Sequence, residues 1–199
     1  ISGLVGSEMC IRDRYLGGHS DIVGGSIVIK DNKEYADKIS YIQNAVGAIP
    51  SPFDCYLLTR SIKTLSVRMK QHNENAIAVS NFLTNHSKIN KVFFPGIDER
   101  YKEVAAKQMD GFGGMMSFIL DTNIDGVKSF LKNLNIFTLA ESLGGVESLI
   151  EHPAIMTHAS IDPSIREKLG ISDTLLRISV GIEDVDDLIA DLDQALSKI

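Results

Sequence analysis

In the second half of the chain, short apolar segments typical of strands alternate with apolar residues at helical spacing. This alternation limits the fold of the chain more than any other feature. Residues 115–120 and 175–180 are short apolar segments of the kind that form buried strands. Between them, four apolar residues fall at positions i, i+3, i+4 and i+7 of one helical stripe: Val127, Phe130, Leu131 and Leu134. This stripe predicts a helix over residues 125–133. The pattern predicts a small α/β lobe whose sheet is covered by helices on one face.

Capping residues mark where several helices begin and end. Gly47 follows a helical pattern that starts at Glu34, and glycine commonly ends a helix. Asp162 precedes Pro163, which suits the first position of a helix because proline lacks an N–H group. Acidic residues cluster from Asp184, where the dipole of the last helix favours negative charge.

Further strands are predicted over residues 22–29, 92–94 and 136–140. Residues 53–86 lack Pro and Gly, which indicates one long helix or two abutting helices connecting two lobes. Polar residues of this segment are more simply a solvated face than a binding patch: Lys63, Arg68, Lys70, Gln71, His72 and Asn73.

Composition limits the possible partners. The 199 residues suffice for one domain or one and a part, and the net charge of −6, with no basic stripe, argues against nucleic acid and anionic membranes. No apolar run approaches the ~20 residues that a membrane span needs. Cys10 and Cys55 show neither CxxC nor metal-ligand spacing, which favours free thiols and a cytoplasmic location.

Residues 15–25 contain four glycines, a histidine and an aspartate. Such a segment is costly to order unless the backbone bends sharply or approaches another group closely. It lacks the GxGxxG and GxxxxGK patterns, so neither a Rossmann nor a P-loop site is predicted. A turn that feeds a strand is the favoured interpretation, and the rim of a small-molecule site is the alternative.

Arg177 is the sharpest candidate for chemistry. It lies within an apolar strand, on the face opposite Leu176 and Ile178. This placement is costly unless the guanidinium meets a carboxylate or phosphate in two parallel hydrogen bonds. An exposed sheet face, or a salt bridge to a nearby acid, explains it equally well.

Glu141 and Ser142 follow a predicted strand and precede two glycines. This arrangement places a carboxylate, a hydroxyl and backbone donors at a strand end, where sites are commonly built, although an ordinary polar turn has equal weight. His152 and His158 have no Cys, Asp or Glu at ligand spacing, so no metal site is predicted.

Six segments, in the same order, resemble the transsulfuration enzymes of Cys/Met metabolism, in the branch that makes or cleaves cystathionine. The resemblance runs from Tyr15 to the C-terminus and covers the second half of such an enzyme. Its most specific motifs are FTLAESLGGVESL and LRISVGIED. The segments are residues 15–25, 47–57, 63–69, 137–149, 156–160 and 176–184.

The resemblance implies an α/β fold of the fold-type-I, aspartate-aminotransferase-like class with pyridoxal phosphate as cofactor. Residues 15–65 would end the large cofactor-binding domain. Residues 66–199 would form a bridging helix and the small C-terminal domain. Enzymes of this kind act on small amino-acid substrates and are homotetramers built from dimers whose sites are shared between subunits.

The resemblance also assigns roles to site residues. Arg177 would bind the substrate α-carboxylate, and Ser142 would help to orient the same carboxylate. Glu141 would line the pocket where the γ-substituent leaves, and Thr157 would make a lesser polar contact. The sequence does not separate a γ-lyase from a γ-synthase.

The chain departs from the family directly before Tyr15. The residue there should be the lysine that forms the Schiff base, with a Thr before it and a Ser three positions before it. Arg14, Asp13 and Ile11 occupy these places. Arginine stays protonated and cannot form the Schiff base.

Residues 5–14 also resemble translated sequencing-adaptor DNA, so we expect residues 1–14 to be a non-native leader. Two hypotheses follow. The gene of origin encodes a pyridoxal phosphate enzyme acting on cystathionine by γ-elimination, or by γ-replacement on an activated homoserine. The chain as given is a non-catalytic lobe that at most binds carboxylates or other subunits.

Overall fold

The computed structural model describes residues 12–27, 29 and 32–199. The chain divides into two units, Ile1–Leu65 and Ser66–Ile199, and each is considered by itself. Most of the leader predicted for residues 1–14, including Cys10 and Ile11, lies outside the described residues, as does Val28 of the predicted strand 22–29.

The described part of the first unit contains two α-helices. A turn, Arg12–Leu16, in which Arg14 has non-helical backbone dihedral angles, precedes helix α1 (Lys33–Val46) and helix α2 (Pro52–Ile62). The N-cap residues Asn32 and Ser51 accept hydrogen bonds from backbone amides of the first turns, and Gly47, at φ +73°, ends α1. The predicted helix end at Gly47 is therefore confirmed.

The strand predicted over residues 22–29 is wrong, because residues 22–27 and 29 form no strand. Val23 is 86% exposed and Ile27 is 60% exposed. A strand needs a neighbour for its N–H and C=O groups, and no described segment pairs with this one. The apolar spacing was correct for a strand, but nothing in the described chain supplies the second strand.

Two abutting helices, rather than one, cover residues 53–86. Helix α2 ends at Ile62, and α3 (Leu65–Asn85) begins after Lys63 and Thr64. The expectation of a solvated face is wrong for Arg68 and His72, which are 4% and 0% exposed. Burial lowers the pKa of both side chains.

The second unit is built on a sheet of five strands. Their order is β1-β2-β5-β4-β3, with β3 parallel to β4 and the other pairs antiparallel. The strands are β1 (Ile89–Phe93), β2 (Met115–Leu120), β3 (Thr138–Leu139), β4 (Leu149–Glu151) and β5 (Leu175–Ser179). The predicted strand over 136–140 is shorter than expected, and β4 was not predicted because three residues are too few to show a period.

Four helices follow α3 in this unit, and the last three are the helices predicted from the apolar stripe and the capping residues. They are α4 (Lys102–Gln108), α5 (Ile124–Lys132), α6 (Pro163–Lys168) and α7 (Val185–Leu196). Asp162 and Asp184 cap α6 and α7 by accepting hydrogen bonds from backbone amides two residues later.

The hydrophobic core lies between one face of the sheet and helices α3, α5 and α7. Phe118, Leu176 and Ile178 supply fully buried side chains from the sheet. Val79, Phe130 and Leu192 are among the helical residues that pack in the same cluster. The alternation predicted for residues 175–180 is thus confirmed, and Arg177 lies on the opposite face.

Candidate functional site

Arg177 lies in the middle of β5, on the face of the sheet opposite the core. Its cross-strand neighbours are Ser117 on β2 and Glu151 on β4. The Arg177 side chain is 24% exposed, whereas that of Glu151 is 1% exposed. The open face of the sheet therefore presents a cation whose paired acid is buried.

Glu151 and Arg177 form an ion pair, with Arg177 Nη1 and Glu151 Oε2 2.6 Å apart. The hydroxyl of Thr157 donates to the other carboxylate oxygen, Oε1. A buried carboxylate is stable only when charged or polar partners compensate for the loss of water. A salt bridge to an acid, one of the two explanations open for Arg177, is thus part of the structure.

The second nitrogen of the guanidinium contacts the segment that follows β3. Arg177 Nη2 donates to the backbone oxygens of Glu141, at 2.8 Å, and of Ser142, at 3.3 Å. Three of the four predicted site residues are therefore in direct contact, and the fourth, Thr157, is joined to them through Glu151. The contacts to Glu141 and Ser142 run through the backbone, so their side chains stay exposed.

The segment 142–148 is fixed to the end of β5 by hydrogen bonds. The backbone N–H of Gly144, at φ +77°, donates to Ser179 Oγ at 2.8 Å. Ser148 donates to both carboxylate oxygens of Glu183, through its N–H at 2.7 Å and its hydroxyl at 2.9 Å. The N–H of Gly181 in turn donates to Ser148 Oγ at 2.8 Å. These bonds fix the backbone that follows the Arg177 contacts.

Asp191 of α7 holds the segment that leads into β3. Its carboxylate accepts the backbone N–H groups of Asn135 at 2.8 Å, Ile136 at 2.8 Å and Phe137 at 3.1 Å. Burial alone would raise the pKa of Asp191, but these amide hydrogen bonds outweigh it and hold the pKa below its usual value. The carboxylate thus fixes the start of the segment that carries Glu141 and Ser142.

A depression of about 200 Å³ lies beside Arg177 on the open face of the sheet. Its walls are largely apolar, and the lining residues are Phe93, Met115, Met116, Ser117 and Arg177. An apolar surface with one cationic group suits a small molecule that carries a carboxylate.

The two histidines considered as metal ligands contact other groups. His152 Nε2 lies 2.8 Å from the backbone oxygen of Asp173, and His158 Nδ1 lies 2.7 Å from Thr157 Oγ1. Within the described ranges, no group of three His, Cys, Asp or Glu side chains could hold a metal ion. Cys55 is an exposed free thiol. None of the helices in the described part is long and apolar enough to cross a membrane.

The sequence analysis missed Glu151 and Glu183. The run Leu149-Ile150-Glu151 places a charge beside two apolar residues, a signal of the kind noticed at Arg177. The pairing of the two charges depends on the register of β4 against β5, which a single sequence does not give.

The sequence pattern of one family, described as "Cys/Met metabolism PLP-dependent enzyme", matches residues 11–197. The chain belongs to this family. The resemblance found in the sequence is therefore confirmed, and the family uses pyridoxal phosphate (PLP).

Named relatives and solved structures agree with the family. The chain is 53% identical over 186 residues to a cystathionine gamma-lyase of Dictyostelium discoideum, covering 93% of this chain and 48% of that protein. It is 52% identical over 184 residues to a cystathionine beta-lyase of Coxiella burnetii, covering 92% and 48%. The chain spans about half the length of the curated relatives it matches.

A crystal structure of cystathionine gamma synthase from Xanthomonas oryzae pv. oryzae, in complex with cystathionine, superimposes with a TM-score of 0.87. The sequence identity is 46%, and the match covers 94% of this chain and 48% of that one. The predicted α/β fold of the fold-type-I pyridoxal phosphate enzymes is thereby confirmed.

The chain's own residues do not fit the covalent requirement of the family cofactor. Arg14 lies in the turn Arg12–Leu16, at the position where the resemblance implies a lysine. A guanidinium remains protonated and offers no nucleophilic amine. The assembled group of Arg177, Glu151, Thr157 and the 141–142 backbone contains no lysine either. The group offers a guanidinium that can pair with an anion, and no step through the cofactor follows from it.

Replacing Asp191 with asparagine should lower the free energy of unfolding at pH 7 by about 1–3 kcal/mol, because a charged acceptor of three amides is lost. Since the folded pKa of Asp191 is lowered, its contribution is present above the unfolded value of about 3.9 and is lost as the pH falls through the folded pKa. Urea unfolding from pH 7 down to pH 3 measures the difference.

The exposed Asp187 lies on the same helix, so Asp187→Asn is the matched control, with an expected change below about 1 kcal/mol. A stability gap between wild type and Asp191→Asn that stays constant down to pH 3 would contradict the role of the Asp191 charge.

Proposed function

We propose that this chain supplies the substrate-carboxylate-binding half of a PLP-dependent transsulfuration enzyme that acts on cystathionine. The reaction would be γ-elimination to cysteine, or γ-replacement on an activated homoserine. The observation that carries the proposal is the partly exposed guanidinium of Arg177, held between Glu151 and the backbone of residues 141–142. Relatives named as cystathionine lyases and synthases support the choice of substrate.

Arg177 would attract the α-carboxylate of an amino-acid substrate through charge and directed N–H donors. The exposed Ser142 hydroxyl would help to orient this carboxylate, and the exposed Glu141 carboxylate would line the pocket for the γ-substituent. Thr157 would act indirectly, because its hydroxyl donates to Glu151. When bound, pyridoxal phosphate would supply the electron sink for breaking bonds at the substrate carbons.

A second candidate function concerns the chain as given, and Arg14 favours it. With arginine at this position the polypeptide would be a non-catalytic lobe that binds carboxylates or other subunits. On the same ground we propose that residues 1–14 are a non-native leader. From the family resemblance we propose that residues 15–65 end a large domain, and that residues 66–199 form a bridging helix and the small domain. The intact enzyme would be a cytoplasmic homotetramer.

Sequencing the source DNA across the junction between Arg14 and Tyr15 tests the first proposal. We expect a native reading frame in which lysine precedes Tyr15, with Thr before it and Ser three positions before it. A native frame that encodes Arg14 and Asp13 would contradict the leader and favour the non-catalytic lobe.

Joining the first half of the Dictyostelium discoideum cystathionine gamma-lyase to residues 15–199 should give an enzyme that cleaves cystathionine. In this fusion, Arg177→Met should raise the KM for cystathionine about 10- to 100-fold, since hydrogen bonds to charged groups contribute about 1.5–3 kcal/mol. The KM of the Arg177→Lys fusion should fall between those of the unmodified fusion and of Arg177→Met, because lysine keeps the charge but lacks the planar guanidinium fork. Steady-state kinetics with cystathionine measures these changes.

Arg100→Met is the matched control for the fusion, because Arg100 is an exposed arginine of the same unit. Its kinetics should equal those of the unmodified fusion. A KM unchanged by Arg177→Met would exclude Arg177 as the carboxylate anchor.

The 199-residue chain itself should not turn over cystathionine when pyridoxal phosphate is added, because Arg14 cannot form the Schiff base. Product formation followed over hours, with a cystathionine gamma-lyase as the positive control, provides the measurement. Sustained turnover by this chain would overturn the non-catalytic interpretation.

A further inference from the structure

Arg177 and Glu151 form an asymmetric pair. The acid is almost entirely buried, at 1% exposure, whereas the arginine keeps 24% of its side-chain surface open. In a pair of this kind the buried acid cannot reach a ligand in solvent, but the arginine can. Glu151 therefore acts on a ligand through the residues that it contacts, and the partly exposed Arg177 is the charged one among them.

Glu151 is itself held by a second contact. A hydroxyl carries one proton, and an ionised carboxylate only accepts, so Thr157 Oγ1 donates its proton to Glu151 Oε1. Thr157 Oγ1 is then the acceptor toward His158 Nδ1, at 2.7 Å, and this nitrogen carries a proton. The direction of donation thus runs from His158 through Thr157 to Glu151, whose other oxygen contacts Arg177.

The guanidinium is fixed on two of its three nitrogens. Nη1 contacts Glu151, and Nη2 donates to the backbone oxygens of Glu141 and Ser142. Among the described residues, the Arg177 Nε–H has no hydrogen-bond partner. Fixing Nη1 and Nη2 sets the plane of the guanidinium, and with it the direction of the N–H groups left for a carboxylate ligand.

We infer that Glu151 is a positioning residue for carboxylate binding by Arg177, and that Thr157 holds Glu151 in place for this purpose. The inference rests on the proposed function, because it concerns the same anion site. Glu151 also compensates part of the Arg177 charge, which by itself would weaken attraction to an anion. Positioning and charge compensation act in opposite directions, so an experiment can separate them.

The experiment uses the full 199-residue chain labelled with ¹⁵N. NMR resonances of the Arg177 side-chain N–H groups report guanidinium mobility without any ligand, and titration with acetate reports carboxylate binding. The variants are Glu151→Gln and Thr157→Val, and the conservative Thr157→Ser retains the hydroxyl. Glu167→Gln, at an exposed glutamate on α6, is a control that changes the net charge equally.

Positioning predicts that Glu151→Gln and Thr157→Val each make the Arg177 side chain more mobile. Acetate binding should weaken about tenfold in Glu151→Gln and by a smaller factor in Thr157→Val. Thr157→Ser should show the Arg177 mobility and the acetate affinity of the wild type, and Glu167→Gln should leave both unchanged. If Glu151→Gln fails to fold, Thr157→Val decides alone, since Thr157 is exposed and its hydroxyl is the only donor removed.

Equal or tighter acetate binding by Glu151→Gln, with Arg177 as ordered as in the wild type, would overturn the inference and make Glu151 a competitor for the arginine. If acetate does not shift the Arg177 resonances of the wild type, the proposed carboxylate site fails. In that case the mobility measurement still decides whether Glu151 orders the guanidinium.

Discussion

The burial of one carboxylate, Glu151, constrains the site more than any other interaction. A buried charge without a partner costs several kcal/mol, so a conformation that separates Glu151 from Arg177 is strongly disfavoured. This cost favours the register that sets Glu151 of β4 opposite Arg177 of β5. The alternation of β5 places Arg177 on this face, where its guanidinium stays partly exposed beside the buried acid.

Carboxylates also fix the backbone around this pair. Asp191 accepts three consecutive amides before β3, and Glu183 accepts both donors of Ser148. Between these two anchors lies the segment whose carbonyl oxygens, at Glu141 and Ser142, accept hydrogen bonds from Arg177. Acids that accept backbone amides hold a loop in place without a regular strand, because each replaces hydrogen bonds that a sheet neighbour would give.

The family relationship and the geometry of the site answer different questions. Matches to cystathionine enzymes, with a TM-score of 0.87 to a synthase, establish the fold and the family of the chain. The site itself presents a partly exposed guanidinium beside a largely apolar surface. Arg14 shows why the two must be kept apart, since a guanidinium cannot replace an amine in covalent chemistry.

Predictions were correct for elements whose signals come from residues close together in the sequence. Helix α1 follows from the helical pattern that starts at Glu34 and from Gly47 at its end, although none of its residues is buried. The faces of β5 follow from alternation, because an apolar residue at every second position can only be buried on one side. These elements depend on neighbours a few residues away, which the sequence contains.

Tertiary structure decided the remainder, because burial and pairing join residues far apart in the chain. Residues 22–27 have the composition of a strand but lack a paired neighbour among the described residues. His72 has the polarity of a surface residue but is buried, with its Nδ1 2.7 Å from the backbone oxygen of Val180. The sequence by itself determined the α/β lobe, the family and the place of Arg177 on the face of the sheet opposite the core. Only the register of β4 against β5 decided that Glu151 pairs with this arginine, because side-chain contact across a sheet depends on which strands become neighbours.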